Sequence, residues 1–375
     1  MVGSKIGSKK RVRIILFKNH LYRGELTPPH IDLIKWIGAK EVRTLPNVNG
    51  IICTLPEDVS DQKILSSGGV AAIEENHKIR LVPWAPAKFK SFKHEEEQLV
   101  PWGVYSIGAH VCWPEATGQG VRVAVIDSGI DGSQPNLGSS LKGGINLVAP
   151  GASYYDDNGH GTHVAGTIAA ANIGRGIVGV APEAELYAVK VLDQWGDGTI
   201  LNAINAIDWC LKHRIHVANM SFGTDKYSRA LEEAVRAARR YGLLIIAAAG
   251  NDGGPNTVDY PAVFEETLCV AAVDSRGKPA GFSSSGPEVD LLAPGAHILS
   301  TYRWGSYVRL SGSSMATAHV TGAAALLKEK YPEENVDQLH RRLLSGVQKA
   351  KGFGNNFTGA GIIRVDLSLK SFPGA

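Results

Sequence analysis

The sequence has no long hydrophobic run and almost no net charge, and each absence excludes a class of protein. No apolar stretch among the 375 residues reaches the ~18–20 residues of a membrane-spanning helix. The formal net charge is +3, from 39 basic and 36 acidic residues, which is too small and too evenly spread for a nucleic-acid surface. We therefore expect neither a membrane nor a nucleic acid as a partner.

Signal-peptide and disulfide signatures are also missing. The first 20 residues are basic but contain only four consecutive apolar residues, too few for a signal-peptide core. The chain is thus expected in the cytoplasm, or outside the cell if an export signal was removed from it. The cysteines lie singly in apolar contexts without Cys-x-x-Cys spacing, which predicts buried free thiols rather than a disulfide framework. They are Cys53, Cys112, Cys210 and Cys269.

The sequence does contain two regions with different patterns. Residues 11–82 combine short β-rich runs with two helical stretches, which predicts a small α+β domain after a flexible N-terminus at 1–10. Residues 83–97 are rich in proline and charge and have no periodicity, so they predict a linker. Residues 98–375 then form a second, larger domain.

In the larger domain, near-continuous apolar runs such as "VRVAVID" and "LLIIAAAG" alternate with helical stretches. This alternation is typical of an α/β fold, with a doubly wound, mainly parallel sheet and helices on both faces. Active sites of such sheets lie beyond the carboxyl ends of the strands. Polar residues at the strand ends are therefore the first candidates.

Asp127 and His160 are two such candidates. Asp127 follows four apolar residues, where a buried carboxylate needs a partner, although an Asp before Ser-Gly is equally typical of a turn. His160 stands between glycines at the start of a small-residue helix, which suits a mobile-proton role. His163 lies on the same helix face, as a metal pair would, but no third ligand is arranged nearby. We interpret His163 as a packed structural histidine.

Asn251 and a cluster of serines are the other candidates. Asn251 follows an apolar run, either as a left-handed turn residue or as an amide directed at an oxyanion. Ser311, Ser313 and Ser314 crowd the entrance of a helix. A serine in a first helical turn can combine a nucleophile with an N–H directed at the oxygen that it attacks. Ser313 fits an N-cap equally well.

Asp127, His160 and Ser314, in that chain order, resemble the catalytic residues of the subtilisin-like serine proteases. The resemblance extends over residues 100–346 through motifs in family order: "VAVIDSGID", "GHGTHVAGTIAA", "VGVAPEAELYAVKVL", "ANMSFG", "AAAGNDG", "FSSSGPEVDLLAPG" and "GSSMATAHVTGAAALL". It implies a subtilisin-like fold with Ser314 as nucleophile and His160 as general base. Asp127 would orient His160, and Asn251 would stabilise the oxyanion.

By this resemblance the chain is a serine endopeptidase that hydrolyses peptide bonds of proteins and peptides through an acyl-enzyme. Broad specificity, large apolar residues before the scissile bond, a monomeric state and no catalytic cofactor are expected. The substrate would pair as an added strand with two segments. These are Gly196, Asp197 and Gly198, and Ser221, Phe222 and Gly223. The alternative is a catalytically inactive homologue that binds peptides.

The resemblance also implies that residues 11–82 are an inhibitory, folding-assisting prodomain with a ferredoxin-like fold. The chain would then be an autoprocessed zymogen, cut within 83–97, because Pro83 disfavours cleavage directly after Val82. A structural calcium ion would lie at Gln98, Asn136 and Asn172, with a second cation site near Asp290. Asn136 stands where the family has an Asp, and Ca²⁺ prefers charged oxygen ligands.

Overall fold

The structure is a computed structural model that describes residues 11–81, 85–86, 97–350 and 359–371. The predicted flexible N-terminus and most of the predicted linker lie outside these residues. Two compact units are distinguished, Met1–His77 with Ser228–Ala237, and Lys78–Tyr227 with Ala238–Ala375. None of the helices that the structure describes combines the length and the hydrophobicity of a membrane span.

The first unit contains a four-stranded antiparallel sheet. Its strands are β1 (Arg11–Phe17), β2 (Lys40–Leu45), β3 (Gly50–Leu55) and β4 (Val70–Glu75), and its helices are α1 (Pro28–Trp36) and α2 (Asp61–Leu65). The strand order β2-β3-β1-β4 and the βαββαβ succession are those of a ferredoxin-like arrangement. Apolar residues of all four strands and both helices form its core, as the β-rich and helical runs of the sequence predicted.

The second unit is built around a nine-stranded sheet. Its strands and those of its small sheets are β5 (Lys78–Leu81), β6 (Ala85–Pro86), β7 (Gln98–Leu99), β8 (Arg122–Asp127), β9 (Leu141–Asn146), β10 (Gly176–Ile177), β11 (Glu185–Lys190), β12 (Asp197–Thr199), β13 (Val217–Met220), β14 (Phe222–Gly223), β15 (Leu244–Ala248), β16 (Thr267–Val273), β17 (Leu291–Pro294), β18 (Ile298–Thr301), β19 (Tyr307–Ser311), β20 (Val347–Gln348) and β21 (Ile362–Ile363). The large sheet has the order β20-β21-β17-β16-β15-β13-β8-β11-β9. Its pairs are parallel except β20–β21.

The remaining helices are α3 (Trp102–Ser106), α4 (Ala109–Cys112), α5 (His160–Ala169), α6 (Ile200–Lys212), α7 (Arg229–Arg240), α8 (Ser313–Lys330), α9 (Val336–Ser345) and α10 (Val365–Ser368). Every residue of β13, β15 and β16 is buried, which requires cover on both faces of the sheet. The predicted doubly wound parallel sheet is confirmed. Helix α8 is buried from Ser313 to Leu327, because its alanines, glycine and serines let it lie close to the strands.

All four cysteines are buried free thiols, as predicted. Burial raises the pKa of the Cys53 thiol to about 11 and that of Cys112 to about 12. Thiols that stay protonated at neutral pH are poor nucleophiles and poor metal ligands. These cysteines therefore contribute packing rather than chemistry.

Candidate active site

Asp127 and His160 form a buried pair at the carboxyl edge of the large sheet. Asp127 is the last residue of β8 and His160 the first of α5. His160 Nδ1 lies 2.9 and 3.0 Å from the two carboxylate oxygens of Asp127, and both side chains are inaccessible to solvent. His160 Nε2 is buried without a hydrogen-bond partner among the described residues. With Nδ1–H donated to Asp127, Nε2 carries the lone pair of a neutral imidazole.

The backbone that places His160 depends on Gly159, which caps α5. Gly159 has a φ of 108°, in the region that favours glycine. A Cβ at this position would stand 2.3 Å from the Tyr302 ring. Both the backbone angle and the close ring contact require glycine directly before His160.

Two residues that the sequence interpretation missed brace this pair. Asp156 is fully buried and accepts hydrogen bonds from the Ser128 hydroxyl, the Thr162 hydroxyl and three backbone N–H groups. Lys190, buried at the end of β11, donates to Ser128 O at 2.5 Å and to Asp157 at 2.7 Å. The sequence did contain a signal for Lys190, because this charged residue directly follows the strand-like run "ELYAV". Polar residues at strand ends are the first candidates for a functional site in such a sheet.

Ser314 and Asn251 meet at the entrance of α8. Ser314 is the second residue of this helix and is fully buried, and its Oγ donates to Ser221 O at 3.3 Å. Asn251 Oδ1 accepts from the Ser313 N–H at 2.8 Å. Asn251 Nδ2 lies 3.0 Å from the position that a Cβ on Gly312 would take. The amide nitrogen and the start of α8 therefore border one small space.

The neighbouring serines do other work, and the N-cap expectation for Ser313 was wrong. Gly312 is the N-cap of α8, with no side-chain capping bond. Ser313 Oγ instead accepts from the Gly250 N–H at 3.2 Å, and Ser311 Oγ accepts from the His297 N–H at 2.9 Å. The hydroxyls of Ser311 and Ser313 therefore accept from backbone N–H groups of two different loops beside the helix entrance.

The two segments expected to bind substrate flank a strand of the chain itself. Strand β5 lies between β12 and β14 in an antiparallel three-stranded sheet. Arg80 is paired with both Asp197 and Gly223, and the Leu81 N–H donates to Gly196 O at 2.9 Å. Asp197 also forms exposed ion pairs with Lys78 and Arg80, at 3.1 and 3.4 Å. Backbone pairing on both sides is the geometry of an extended peptide held in a cleft.

Comparisons with known proteins agree with this geometry. The sequence profile of the subtilase family (Peptidase_S8) matches residues 118–361. The chain is 42% identical to subtilisin E of Bacillus subtilis over 345 residues, which cover 90% of this chain and 85% of that protein. The chain belongs to the subtilase family. It is a subtilisin-like serine endopeptidase.

Two further relatives have the same level of identity to this subtilase. The thermostable alkaline protease of Halalkalibacterium halodurans is 42% identical over 309 residues, covering 78% of this chain and 84% of that protein. Subtilisin Savinase of Lederbergia lenta is 42% identical over 275 residues, covering 73% of this chain and all of that protein. The match to Savinase thus spans the whole relative but leaves about a quarter of this chain outside it.

His163 makes the contacts of a packed structural histidine, which is the interpretation made from the sequence. His163 Nε2 lies 3.0 Å from Ile298 O and 3.2 Å from Val308 O, which ties α5 to β18 and β19. Burial, with His160 adding a smaller effect, lowers the pKa of His163 to about 3. Because Nε2–H donates to these carbonyls, the lone pair of the neutral ring lies on Nδ1, which is buried without a hydrogen-bond partner among the described residues. In the same part of the chain, no group of three His, Cys, Asp or Glu side chains includes His160 and His163.

The residues expected to bind calcium are engaged with protein groups instead. Asn136 Nδ2 donates to Ala171 O and Arg175 O at 3.0 and 3.1 Å, and its Oδ1 accepts from the Tyr307 hydroxyl. Gln98 Oε1 accepts from the Ile173 N–H, and Asn172 Oδ1 from the Gly174 N–H. The described residues contain no cluster of three His, Cys, Asp or Glu side chains that could hold a metal ion.

Asp290, the expected second cation site, is also occupied by the protein. Its Oδ2 accepts from the Cys269 N–H at 2.7 Å, and burial raises its pKa to about 6. A single carboxylate does not supply the several oxygens that Ca²⁺ requires. These four residues do not fit the calcium sites expected from the sequence.

Proposed function

We propose that this endopeptidase cleaves peptide bonds with Ser314 as nucleophile, His160 as general base, Asp127 as its orienting partner and Asn251 as an oxyanion donor. The observation that carries the assignment is the buried Asp127–His160 pair, which leaves only Nε2 of the imidazole to accept a proton. No observation favours a peptide-binding homologue without activity, because none of the four positions is substituted.

Each group contributes a distinct step. In the proposed reaction, Ser314 Oγ gives up its hydrogen bond to Ser221 O, and His160 Nε2 takes its proton as Oγ attacks the peptide carbonyl. Asp127 stabilises the imidazolium that forms. The Asn251 amide and the Ser314 N–H donate to the developing oxyanion, aided by the positive N-terminal end of the 18-residue helix α8. The imidazolium then protonates the leaving amine as the C–N bond breaks, which leaves the acyl group on Ser314 Oγ. Water, deprotonated by His160, hydrolyses this ester and releases the carboxylic acid product and the free Ser314 hydroxyl.

We also propose that residues 11–82 act as a prodomain whose last strand inhibits the enzyme. Strand β5 supports this proposal because it occupies the place between β12 and β14 that a substrate would take. Backbone hydrogen bonds do not depend on the side chains of the substrate. This is consistent with broad specificity for protein and peptide substrates at every position except the residue before the scissile bond. The proposed cleavage region, 83–97, lies mostly outside the described residues.

Calcium is not part of this proposal. The amide nitrogen of Asn136 donates to the carbonyl oxygens of Ala171 and Arg175, so hydrogen bonds hold this loop where a cation would otherwise bring oxygens together. We propose instead a calcium-independent monomer that needs no cofactor in catalysis.

Intact mass over time, for wild type and Ser314→Ala, tests the function. Because the 40.0 kDa chain averages about 107 Da per residue, removal of the prodomain lowers the mass by about 9–10 kDa. We expect the wild type to lose this mass and cleave casein, and Ser314→Ala to stay whole and inactive. The new N-terminus then identifies the cut.

Ser311→Ala is the matched control, since it removes another buried hydroxyl from the same helix entrance. It should process and cleave casein like the wild type. If Ser314→Ala cleaves casein as fast as Ser311→Ala, the nucleophile is misassigned. If the wild type cleaves casein without losing mass, the protease assignment stands and the zymogen proposal fails.

A further inference from the structure

A carboxylate that the catalytic scheme does not use lies between the two walls of the cleft. The Asp259 N–H donates to Ala249 O at 2.9 Å, two residues before Asn251. The next residue, Tyr260, exchanges both backbone hydrogen bonds with Thr224, directly after β14. The backbone around Asp259 is therefore fastened to the oxyanion segment on one side and to the substrate-pairing strand on the other.

The side chain of Asp259 fills the gap between these walls. Its Oδ2 lies 2.6 Å from the position that a Cβ on Gly223 would take, and 3.0 Å from that of a Cβ on Gly250. Any larger residue at Gly223 would collide with the carboxylate, and Gly250 has a φ of 117° that itself favours glycine. The absence of a side chain at Gly223 and at Gly250 thus leaves room for the Asp259 carboxylate between them.

This gap is where the side chain before the scissile bond must enter. In the register of β5, Leu81 is opposite Phe222, so the next residue of a bound peptide comes opposite Ser221. Ser221 O is 3.3 Å from Ser314 Oγ, which places the carbonyl of that residue at the nucleophile. When the carbonyl oxygen of this peptide residue is directed at Asn251, the side chain of the same residue has to pass between residues 221–223 and 250–251. Asp259 lies at the end of that path.

The Asp259 carboxylate has no counter-charge. Within the part of the chain that the structure describes, no side chain donates a hydrogen bond or an ion pair to it. Burial, followed by Asp252 and Asp225, raises its pKa to about 7, and no basic residue offsets them. An unpaired, half-buried carboxylate is stabilised when a ligand supplies the missing cation.

We infer that Asp259 makes this subtilase prefer lysine or arginine immediately before the scissile bond. The inference rests on the proposed catalytic residues and replaces the expected preference for large apolar side chains at this position. The long alkyl stem of lysine or arginine packs along the gap while its charged end reaches the carboxylate. An acidic side chain at the same position is repelled.

Peptide p-nitroanilides that differ only in the last residue test this specificity. We would measure kcat/KM for Ala-Ala-Pro-X, with X as Arg, Lys, Phe and Glu, on wild type and Asp259→Asn. Wild type should prefer Arg and Lys, and Asp259→Asn should lower the Arg-to-Phe ratio by about 10- to 100-fold. The two kcat/KM values in each ratio are measured on one enzyme sample, so the ratio does not depend on the fraction of molecules whose active site is accessible.

Two further variants separate a direct contact from a general field. Asp252→Asn removes an exposed neighbouring charge and should change the Arg-to-Phe ratio less than Asp259→Asn does. Asp259→Lys should reverse the preference towards Glu. An equal effect of Asp252→Asn, or a Phe preference in wild type that Asp259→Asn leaves unchanged, overturns the inference.

The pH dependence of the Arg-to-Phe ratio distinguishes the charge of Asp259 from a structural effect of its substitution. In wild type the Arg-to-Phe ratio should rise from pH 5.5 to 8.5 as Asp259 ionises, because burial, followed by Asp252 and Asp225, raises its pKa to about 7. The ratio should be flat for Asp259→Asn, because His160 affects both substrates alike. A flat wild-type ratio contradicts the inference while leaving the protease function intact. If no substrate is cleaved and Arg and Phe chloromethyl ketones label nothing, the catalytic assignment fails and the inference with it.

Discussion

Two regions of the larger unit, the Asp127–His160 pair and the loop 171–176 held by Asn136, contain residues expected from the subtilase resemblance. One of them buries a charged side chain and the other a neutral one. At the carboxyl edge of the sheet, Asp127 keeps a buried carboxylate and pairs it with His160. At the loop 171–176, Asn136 holds the backbone with a neutral amide. A buried charge carries a desolvation cost that its partners must offset. At the loop 171–176, the hydrogen bonds of a neutral amide avoid that cost.

The largest effect is expected at the charged region. Asp127→Asn should lower kcat by about 10⁴-fold, because an amide cannot hold the imidazole in the tautomer that leaves Nε2 as the base. Turnover of a peptide p-nitroanilide measures the loss, and circular dichroism checks that the variant is folded. A loss smaller than tenfold in a folded variant would show that this charge is not required.

Asn251→Ala should lower kcat by about 10²–10³-fold with little change in KM, a magnitude that comes from the oxyanion-hole asparagine of a subtilisin. The physical reason is that the amide donates to charge that develops only in the transition state. Steady-state kinetics separate kcat from KM. A rise in KM at constant kcat would assign Asn251 to ground-state binding instead.

At the neutral region, Asn136→Asp should lower the free energy of unfolding by about 2–4 kcal/mol in EDTA. The new carboxylate would face the carbonyl oxygens of Ala171 and Arg175 without a donor between them. Millimolar Ca²⁺ should restore part of the loss. Urea unfolding with and without Ca²⁺ measures both effects.

Asn172→Asp is the control for this experiment, because the same substitution falls on an exposed side chain of the same loop. Its unfolding free energy should change by less than about 0.5 kcal/mol. An Asn136→Asp variant as stable in EDTA as Asn172→Asp would mean that the Asn136 amide does not hold the loop.

The smallest effect is expected for removal of calcium from the wild type. A ligand stabilises a protein only in proportion to its occupancy of the folded state, so EDTA should shift the Tm by less than about 1 °C. Differential scanning calorimetry with EDTA and with excess Ca²⁺ provides the measurement. A drop of several degrees in EDTA would place a calcium ion in this protein after all.

Much of the fold and of the site could be predicted because their signals are local in the chain. Apolar runs such as 123–126 and 244–248 are typical of buried strands, and their alternation with helical stretches predicted the parallel sheet. Asp127, His160, Asn251 and Ser314 each lie at the end of such a run or at the start of a small-residue helix. Their common position at one sheet edge follows from the parallel direction of the strands.

The tertiary structure alone decided which side chains meet across loops. Gly312 rather than Ser313 caps α8, since Ser313 is already the first residue of the helix, and the Ser313 hydroxyl accepts from the Gly250 N–H instead. Tyr307 completes the hydrogen bonds of Asn136 from 171 residues away. Asp259 reaches the gap between Gly223 and Gly250 only because β14 and β15 end side by side. Sequence patterns contain information about residues that are close along the chain. These contacts join residues that are distant in the chain and depend on which strands lie side by side in the sheet.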